Sequence, residues 1–380
     1  MSAQCETPLS ENGKDEDDYF FETPAAADRE RDDASSNPSE AGKSDYYSPS
    51  LSPMSVHNTS PVINVPNTAE KKRRSSSGFY YHSANNEIPQ DPKTDAKWMS
   101  MLNSWYFTVT FRNQALKRRL RRGIPSLLRP LAWYRLADIS NTKKIFPNPH
   151  EIDISKLSKQ VLDDIEKDID RTYPEHDLFT DQGKGQEALR NILVWYAAVD
   201  PAVEYCQGMS FVAGHILTYF TAEEGFYCFY HCVSTMGLRS MYLPGLVDLQ
   251  RRLYVLNQLM STHMERLWRH LENSNVNPLM YATEWFMTLF CRGFDFSLSA
   301  RVLEIFMFEG YKVIYRVALS ILKSMETELL SADFEQILQL MRNCNKTIKP
   351  VEIMLDAYRW NFRTADLAYH EHAYDKQHKM

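Results

Sequence analysis

From Lys97 onward, apolar side chains recur at intervals of three and four residues along most of the chain. Trp98, Met101, Leu102 and Trp105 begin this pattern, which is the spacing of one face of an α-helix. The chain shows no series of segments with the alternating polarity of strands, and no internal repeat. The pattern therefore predicts an all-α domain.

Prolines mark several of the helix boundaries. Pro125 suits the first turn of a helix, whereas Pro174 and Pro201 follow the ends of two others, because the residue before a proline avoids helical geometry. Between these signals the sequence predicts helices over residues 154–170, 185–199, 211–219, 223–237, 246–271, 279–291, 297–308, 311–325 and 331–343.

The first quarter of the chain has a different composition. Residues 1–95 are rich in Ser, Pro, Asn, Asp and Glu, and the first 50 residues hold 13 acidic and 4 basic side chains. Such a segment buries too little apolar surface to offset its conformational entropy. We predict a disordered, acidic, Ser-Pro-rich regulatory arm over 1–95 and a helical domain over 96–345. A C-terminal extension over 346–380 is expected to be partly a packed helix and then a polar tail.

The arm contains candidate phosphorylation sites. Ser48, Ser52 and Ser60 each precede a proline, as in sites of proline-directed kinases, and a basic run at 71–74 precedes three serines at 75–77. Regulatory kinases are therefore possible partners, and the protein a possible phosphoprotein. The simpler interpretation is that basic runs beside serines are common in disordered tails.

Composition excludes several classes of protein. Once the acidic arm is set aside, the rest of the chain is close to charge balance, which argues against a nucleic-acid-binding protein. Six cysteines are too sparse for a disulfide scaffold, and the amino terminus lacks a secretory signal. The longest uncharged run, 205–222, contains polar groups that a transmembrane segment would strand. We predict a cytoplasmic protein.

Two histidine and cysteine clusters raise the question of a metal site. Cys228 and Cys232 lie one helical turn apart beside His231, but structural zinc usually takes closer cysteine pairs, and the neighbouring aromatic residues favour a packed core. His370, His372 and His378 are expected at the surface. No metal site is predicted, and no P-loop for nucleotide is present.

The strongest chemical signal is a pair of polar motifs inside this apolar chain. Arg171 follows the end of the helix predicted over 154–170, and Gln207 lies in a short connection 36 residues later. An arginine presents a permanently charged fork of donors, and a glutamine amide both donates and accepts. Hydrolysis of a nucleoside triphosphate needs positive charge on the phosphoryl oxygens and a group that orients the attacking water. Taken alone, Arg171 is more typical of a helix-end arginine that pairs with Asp168 than of a catalytic residue.

Four motifs together resemble the TBC-domain family of Rab GTPase-activating proteins. They are Arg122-Gly123-Ile124-Pro125 with Arg129 and Trp133, then Asp168-x-x-Arg171-Thr172, then Tyr205-Cys206-Gln207-Gly208, and finally residues 301–310, which end in Glu309-Gly310. They occur in the family's order. The resemblance implies an all-α fold of two packed helical lobes.

The resemblance also implies a role for each motif. Arg171 and Gln207 match the family's catalytic arginine and glutamine fingers, which act in trans on a GTP-bound Rab-type GTPase; Asp168, Thr172, Tyr205 and Gly208 would position them. The remaining motif residues are expected to be structural or to contact the partner: Arg122, Gly123, Pro125, Arg129, Trp133, Glu309 and Gly310. GTP and Mg²⁺ would belong to the partner, and the chain would need no cofactor of its own. Its expected role is in vesicle trafficking, peripherally on endomembranes through partners.

Some positions depart from the family pattern. Leu303 and Glu304 stand where tryptophan and aspartate are usual, at positions expected to be structural, and Glu204 adds a negative charge beside Gln207. That charge keeps open an alternative, a non-catalytic Rab-binding scaffold of the same fold. A helical adaptor unrelated to GTPases would leave Arg171 and Gln207 unexplained.

Overall fold

The computed structural model describes residues 91–180 and 184–378. The arm predicted over 1–95, with its candidate phosphorylation sites, lies outside these residues except for its last five positions. The described residues form α-helices joined by short turns, with no strand in either range. The prediction of an all-α domain is therefore confirmed.

The first ten helices lie in the amino-terminal part of the fold. Their bounds are α1 Pro92–Asn103, α2 Trp105–Phe111, α3 Asn113–Arg122, α4 Arg129–Leu136, α5 Ile139–Ile145, α6 Lys159–Asp170, α7 Asp177–Thr180, α8 Lys184–Val199, α9 Met209–Leu217 and α10 Ala222–Tyr230. The other eleven are α11 Arg239–Tyr242, α12 Val247–His263, α13 Glu265–Asn273, α14 Pro278–Tyr281, α15 Thr283–Met287, α16 Phe296–Glu309, α17 Lys312–Ser324, α18 Glu326–Ser331, α19 Phe334–Asn343, α20 Pro350–Ala357 and α21 Thr364–Gln377.

Side-chain caps explain where several helices begin. The Asp91 carboxylate accepts hydrogen bonds from the amides of Lys93 and Thr94, and proline occupies the first position of α1. The Ser158 hydroxyl accepts from the Val161 amide at the start of α6. The first helix that the structure describes therefore begins at Pro92, four residues before the predicted boundary.

The helices pack in two groups. In the first, α8 packs against α6, α9 and α10; in the second, α12 packs against α13, α14 and α21, and α17 packs against α20. Helix α16 contacts α9 in the first group and α17 in the second, and it also contacts α4. It is accordingly almost fully buried along its length. This arrangement holds the ends of α6 and α9 against a rigid core.

Several helix bounds agree with the apolar pattern and others do not. The predictions over 185–199 and 311–325 match α8 and α17 closely. The prediction over 246–271 is wrong at Met264, where φ is −140° and the helix divides into α12 and α13. The prediction over 279–291 is also wrong, because the chain leaves helical geometry after Met287 and places Leu289 and Phe290 in the left-handed region.

The C-terminal extension differs from the polar tail expected there. Residues Thr364–Gln377 form α21, in which Leu367, Glu371 and Tyr374 are buried against α12. Arg252 on α12 forms an ion pair with Glu371, with 3.3 Å between Nη1 and Oε1. The sequence of this segment looks polar because one of its buried residues is Glu371, the charged partner of Arg252. Ile353 and Phe362 in this extension are also buried, whereas Leu355 is exposed.

Candidate functional site

Arg171 lies where α6 ends. It occupies the C-cap position, and its side chain is 41% exposed, whereas Asp168 one turn earlier is buried. The Arg171 guanidinium donates a hydrogen bond to one carboxylate oxygen of Asp168. A guanidinium has five N–H donors. The pairing therefore orients the side chain and leaves other donors available to a ligand.

The second oxygen of Asp168 contacts the other motif. It accepts hydrogen bonds from the Tyr205 hydroxyl and, at 3.3 Å, from the backbone amide of Gly208. Burial and the neighbouring Asp168 charge raise the pKa of Tyr205 well above its usual value, so the phenol keeps the proton that it donates. One buried carboxylate thus connects the residues on both sides of Gln207 to the guanidinium of Arg171.

Hydroxyl groups make a second connection between the two motifs. The Thr172 side chain donates to the backbone oxygen of Asp168 at 2.6 Å and lies 2.8 Å from the Ser210 hydroxyl in the first turn of α9. The next residue, Tyr173, donates to the backbone oxygens of Phe211 and Cys291 at 3.1 and 2.6 Å. The chain after Arg171 is therefore fixed to the start of α9.

Gln207 has an exposed side chain at the end of the connection that precedes α9. Within the described ranges, no hydrogen-bond partner lies at its amide. The next residue, Gly208, has a φ of +102°, which side-chain-bearing residues rarely adopt, and a Cβ there would lie 3.3 Å from the Thr288 methyl group. The backbone that carries Gln207 is thus fixed, and its amide is free.

Gln207 lies at one side of an open groove of about 570 Å³. The groove runs between α15 and the end of α19, and its other walls include Met280, Trp285, Leu338 and Arg342. Cys206 also lines it, and burial together with the charge of Asp168 raises the pKa of this thiol to about 11. Cys206 is therefore a neutral thiol near pH 7.

Glu204 lies in the same connection, three residues before Gln207. It has a φ of +51°, and its amide donates to the backbone oxygen of Asp200 at 2.7 Å. Its side chain is half-buried. Asp200 is in turn held by Arg239, with 2.7 Å between Oδ2 and Nε. The structure therefore places the extra negative charge of Glu204 in a constrained turn.

The opening motif lies elsewhere in the fold. Arg129 is buried and reaches the Glu304 carboxylate at 3.2 Å and the Ile124 backbone oxygen at 3.2 Å. Trp133 is fully buried, and its ring centroid lies 4.7 Å from that of Tyr219. These residues join α4 to α16 and to Tyr219, which follows the end of α9. The family departure at Glu304 thus forms a buried ion pair, and Leu303 is also fully buried.

The remaining motif residues surround the end of α3. Gly123 has a φ of +114°, and its backbone oxygen accepts a hydrogen bond from the Trp98 indole at 3.2 Å. The backbone oxygen of Arg122 accepts from Arg301 at 3.0 Å, and Pro125 is buried. Glu309 forms a two-pronged ion pair with Arg121, both distances being 2.7 Å, just before Gly310, whose φ is +67°.

The sequence analysis assigned no role beside the motifs to Arg121, Arg301 or Trp98. Arg301 precedes Glu304 by three residues, a spacing that indicates pairing on one helix, and their charged groups lie 2.8 Å apart. The contacts of Arg301 and Arg121 with distant residues have no comparable local signal. The structure therefore brings together Asp168, Arg171, Thr172, Tyr205 and Gly208, and it places the opening motif with the late segment.

The described residues bear on the expectations for a metal site and for a membrane-spanning segment. No group of three or more His, Cys, Asp or Glu side chains that could hold a metal ion occurs in residues 91–180 and 184–378. Cys228 and Cys232 are buried in the core, as is His231. No helix in the part of the chain that the structure describes has the length and apolar character of a membrane span.

Comparison with known proteins gives a consistent result. Residues 126–330 match the family model of the Rab-GTPase-TBC domain. The protein named TBC1 domain family member whacked, from Drosophila melanogaster, is 31% identical over 253 residues, which cover 64% of this chain and 69% of that protein. The Rab GTPase-activating protein eat-17 of Caenorhabditis elegans is 32% identical over 244 residues, which cover 64% of this chain.

Several of the relatives are much longer than the matched region. The match spans 27% of eat-17, and 30% of the human ecotropic viral integration site 5 protein homolog, which is 30% identical over 243 residues. Two solved structures share the fold. The Chlamydomonas flagellar RabGAP TBC domain and the Ypt/Rab-GAP domain of Gyp1p both have TM-scores of 0.59, with 24% and 18% identity.

These structural matches cover 70% and 74% of this chain, and 93% and 98% of the two domains. At such identities they show the fold alone. The family model covers more than half of the chain, and it includes both Arg171 and Gln207. The chain belongs to the Rab-GTPase-TBC domain family.

Proposed function

We propose that this protein is a GTPase-activating protein for a Rab-type small GTPase. Its partner carries the GTP and Mg²⁺, and the chain supplies Arg171 and Gln207 in trans. Arg171 places positive charge on the transferring γ-phosphoryl group, and Gln207 orients the attacking water. An arginine supplied to a GTPase in trans raises the rate of hydrolysis by roughly 10³- to 10⁵-fold.

The contacts of Asp168 carry this proposal. This buried carboxylate accepts a hydrogen bond from the Arg171 guanidinium and two from residues that flank Gln207, so that one fixed group orients the arginine and holds the backbone that carries the glutamine. Electrostatic catalysis requires that charged and polar groups be oriented before the substrate arrives. A site whose supporting residues are buried and whose reactive ends are exposed meets that requirement.

In this proposal, the motif residues that do not contact Asp168 stabilise the helices behind the site. The ion pairs Arg129–Glu304 and Arg121–Glu309 connect α3 and α4 to α16, which packs against α9. The start of α9 in turn carries Ser210 beside the Arg171 segment. We assign Arg129 and Trp133 to the core because both are buried, and we extend the functional domain to residues 91–378.

A second candidate is a Rab-binding scaffold without catalytic activity. The position of Glu204 favours it, because its carboxylate belongs to the same constrained turn as Gln207 and would repel phosphate oxygens. Either function belongs to vesicle trafficking in the cytoplasm, on the face of endomembranes where Rab-type GTPases act. Kinases acting on the arm would regulate either one.

Phosphate release from a panel of GTP-loaded Rab-type GTPases tests the proposal. The proteins to compare are the wild type, Arg171→Ala, Arg171→Lys and Gln207→Ala. Arg269→Ala and Gln160→Ala serve as matched controls, because both side chains are exposed, the first on α13 and the second at the end of α6 opposite to Arg171. Circular dichroism and thermal unfolding check that every variant keeps the fold.

We expect one or a few GTPases to be stimulated by the wild type and by both controls. Arg171→Ala should lower the stimulated rate by roughly 10³-fold or more. Arg171→Lys should not restore it, because a lysine lacks the planar fork. GTP-dependent binding with no stimulation of any GTPase in the panel would establish the scaffold instead.

A further inference from the structure

Helix α2 exposes three large aromatic side chains. Tyr106, Phe107 and Phe111 are 57, 51 and 70% exposed, and the rings of Phe107 and Phe111 are in contact, with centroids 5.3 Å apart. Clustered exposed aromatic residues on a water-facing surface usually mark a site of interaction. None of the three belongs to the Asp168 site or to the Gln207 groove.

The same region has charges of only one sign. Residues 96–137 contain nine lysines and arginines and no aspartate or glutamate. Some of these cations are neutralised within the fold, since Glu309 pairs with Arg121 and with Lys117. Arg112 and Arg118 are exposed, and neither forms an ion pair with any residue that the structure describes.

Helical register places these two features on one face. The Arg112 amide donates to the Thr108 backbone oxygen, and the Leu116 amide donates to the Arg112 backbone oxygen, so the helical path continues from α2 into α3 with a small break. Phe107, Phe111 and Arg118 are separated by four and seven residues, which is the spacing of one helix face. Leu116 and Leu120 are buried on the opposite side.

We propose that this α2–α3 face, formed by Tyr106, Phe107, Phe111, Arg112 and Arg118, binds directly to the surface of anionic lipid bilayers. The aromatic rings would enter the boundary between head groups and acyl chains, where amphipathic helices bury their apolar side. The arginines would contact the negatively charged head groups. An excess of positive charge around exposed aromatic side chains is complementary to such a surface.

This inference is independent of the proposed activity on GTPases. None of the five residues contacts Asp168, Arg171 or Gln207 in the structure. It also differs from recruitment through a membrane-bound partner, because it requires no second protein. Binding to protein-free vesicles therefore tests it whether or not the chain stimulates GTP hydrolysis.

The experiment is co-sedimentation of the full chain with phosphatidylcholine vesicles, with and without phosphatidylserine, at low and high salt. The test variants are Phe107→Ser/Phe111→Ser and Arg112→Glu/Arg118→Glu. The first control is Phe334→Ser, an aromatic side chain 43% exposed on α19. The second is Arg266→Glu/Arg269→Glu, an exposed charge reversal on α13. A third variant replaces the basic run 71–74 with alanines, because that run is another source of positive charge.

We expect the wild type and both matched controls to bind the anionic vesicles, with an affinity that falls as salt rises. Each test variant should lower that affinity by roughly tenfold or more. Absence of binding to anionic vesicles would overturn the proposal, as would binding that only the 71–74 variant reduces. Loss of binding in the charge variant with none in the aromatic variant would also overturn it, because the rings would then not enter the bilayer.

Discussion

The hydroxyl groups of Thr172 and Ser210 lie 2.8 Å apart in the core, although 38 residues separate them in the chain. Thr172 follows Arg171, and Ser210 is the third residue after Gln207. Replacement of either hydroxyl should cost about 1 kcal/mol of unfolding free energy. We expect Thr172→Val and Ser210→Ala to be less than additive, because each removes the same hydrogen bond. Urea unfolding of both single variants and the double variant measures this coupling, and strict additivity would contradict it.

Under the proposed function, Asp168 should be needed for stimulation of GTP hydrolysis because it orients Arg171 and the Gln207 segment. An amide in Asp168→Asn no longer carries the charge that holds Arg171, and it accepts more weakly from Tyr205 and Gly208. We expect the stimulated rate of GTP hydrolysis to fall about 100-fold, as small misplacements of catalytic groups do. Asp164→Asn is the matched control, because the Asp164 side chain is 45% exposed on the same helix. Full stimulation by a folded Asp168→Asn protein would contradict this role.

Gly208→Ala should disturb the Gln207 segment through its backbone. A methyl group at a φ of +102° is strained, and it would also meet the Thr288 side chain at 3.3 Å. We expect a loss of about 1–3 kcal/mol in unfolding free energy and a fall in stimulation similar to that of Gln207→Ala. Thermal unfolding and phosphate release, measured on the same preparations, decide the outcome. A variant with unchanged stability would show that the turn relaxes to another conformation.

The buried ion pair between Arg129 and Glu304 should be costly to break from one side. Arg129→Met leaves a buried carboxylate with Arg301 as its remaining ion-pair partner among the described residues. We expect a loss of about 3–5 kcal/mol. The exposed Arg359 provides the control substitution Arg359→Met, for which the expected change is within about 0.5 kcal/mol. Equal effects of the two substitutions in chemical unfolding would argue against a structural role for Arg129.

His215 should make the fold sensitive to mild acid. Burial, together with the charges of Arg129 and His176, lowers the pKa of His215 from 6.5 to about 3. The folded protein therefore keeps this ring neutral while the unfolded chain binds a proton, so stability falls as the pH drops below 6.5. At pH 5 the loss is about 2 kcal/mol.

His215→Phe should remove that loss. The phenylalanine ring can keep the stacking on Phe296, whose centroid lies 5.0 Å from that of His215. We expect the variant to lose about 2 kcal/mol less stability than the wild type between pH 7.5 and pH 5. His372→Phe, at an exposed position, is the control. Identical pH profiles for the wild type and His215→Phe would contradict this account.

Local sequence signals were sufficient where a long, largely apolar segment ends at polar residues or a proline. Helices α8 and α17 agree with prediction because their buried residues form such continuous segments, over 192–197 and 313–322. The same signals were insufficient at Met264 and at Leu289–Phe290, where no glycine or proline marks the break. At the second break, the Phe290 amide donates to the Trp285 backbone oxygen, and the Ser299 hydroxyl donates to the Phe290 backbone oxygen. The turn after α15 is therefore set by individual hydrogen bonds, which the apolar pattern does not reveal.

In the candidate site, contacts between residues close in sequence were predicted, whereas contacts between distant residues were not. The sequence predicted that Arg171 ends a helix and that Asp168 orients it, since both follow from spacing along α6. The hydrogen bonds of Asp168 to Tyr205 and Gly208 connect residues 37 and 40 positions apart, which no periodicity reveals. The ion pair of Arg121 with Glu309 spans 188 positions. Such pairs become visible only when the helices are packed.

The contact of α21 with α12 also bears on how the protein matures. Arg252 and Glu371 pair across 119 positions, so Arg252 stays without this partner until residue 371 has left the ribosome. During synthesis, α12 therefore lacks this ion pair, and the apolar face that α21 will cover is exposed. The second helix group is thus completed only once α21 has been translated, and until then its uncovered apolar surface is exposed to aggregation and to chaperones.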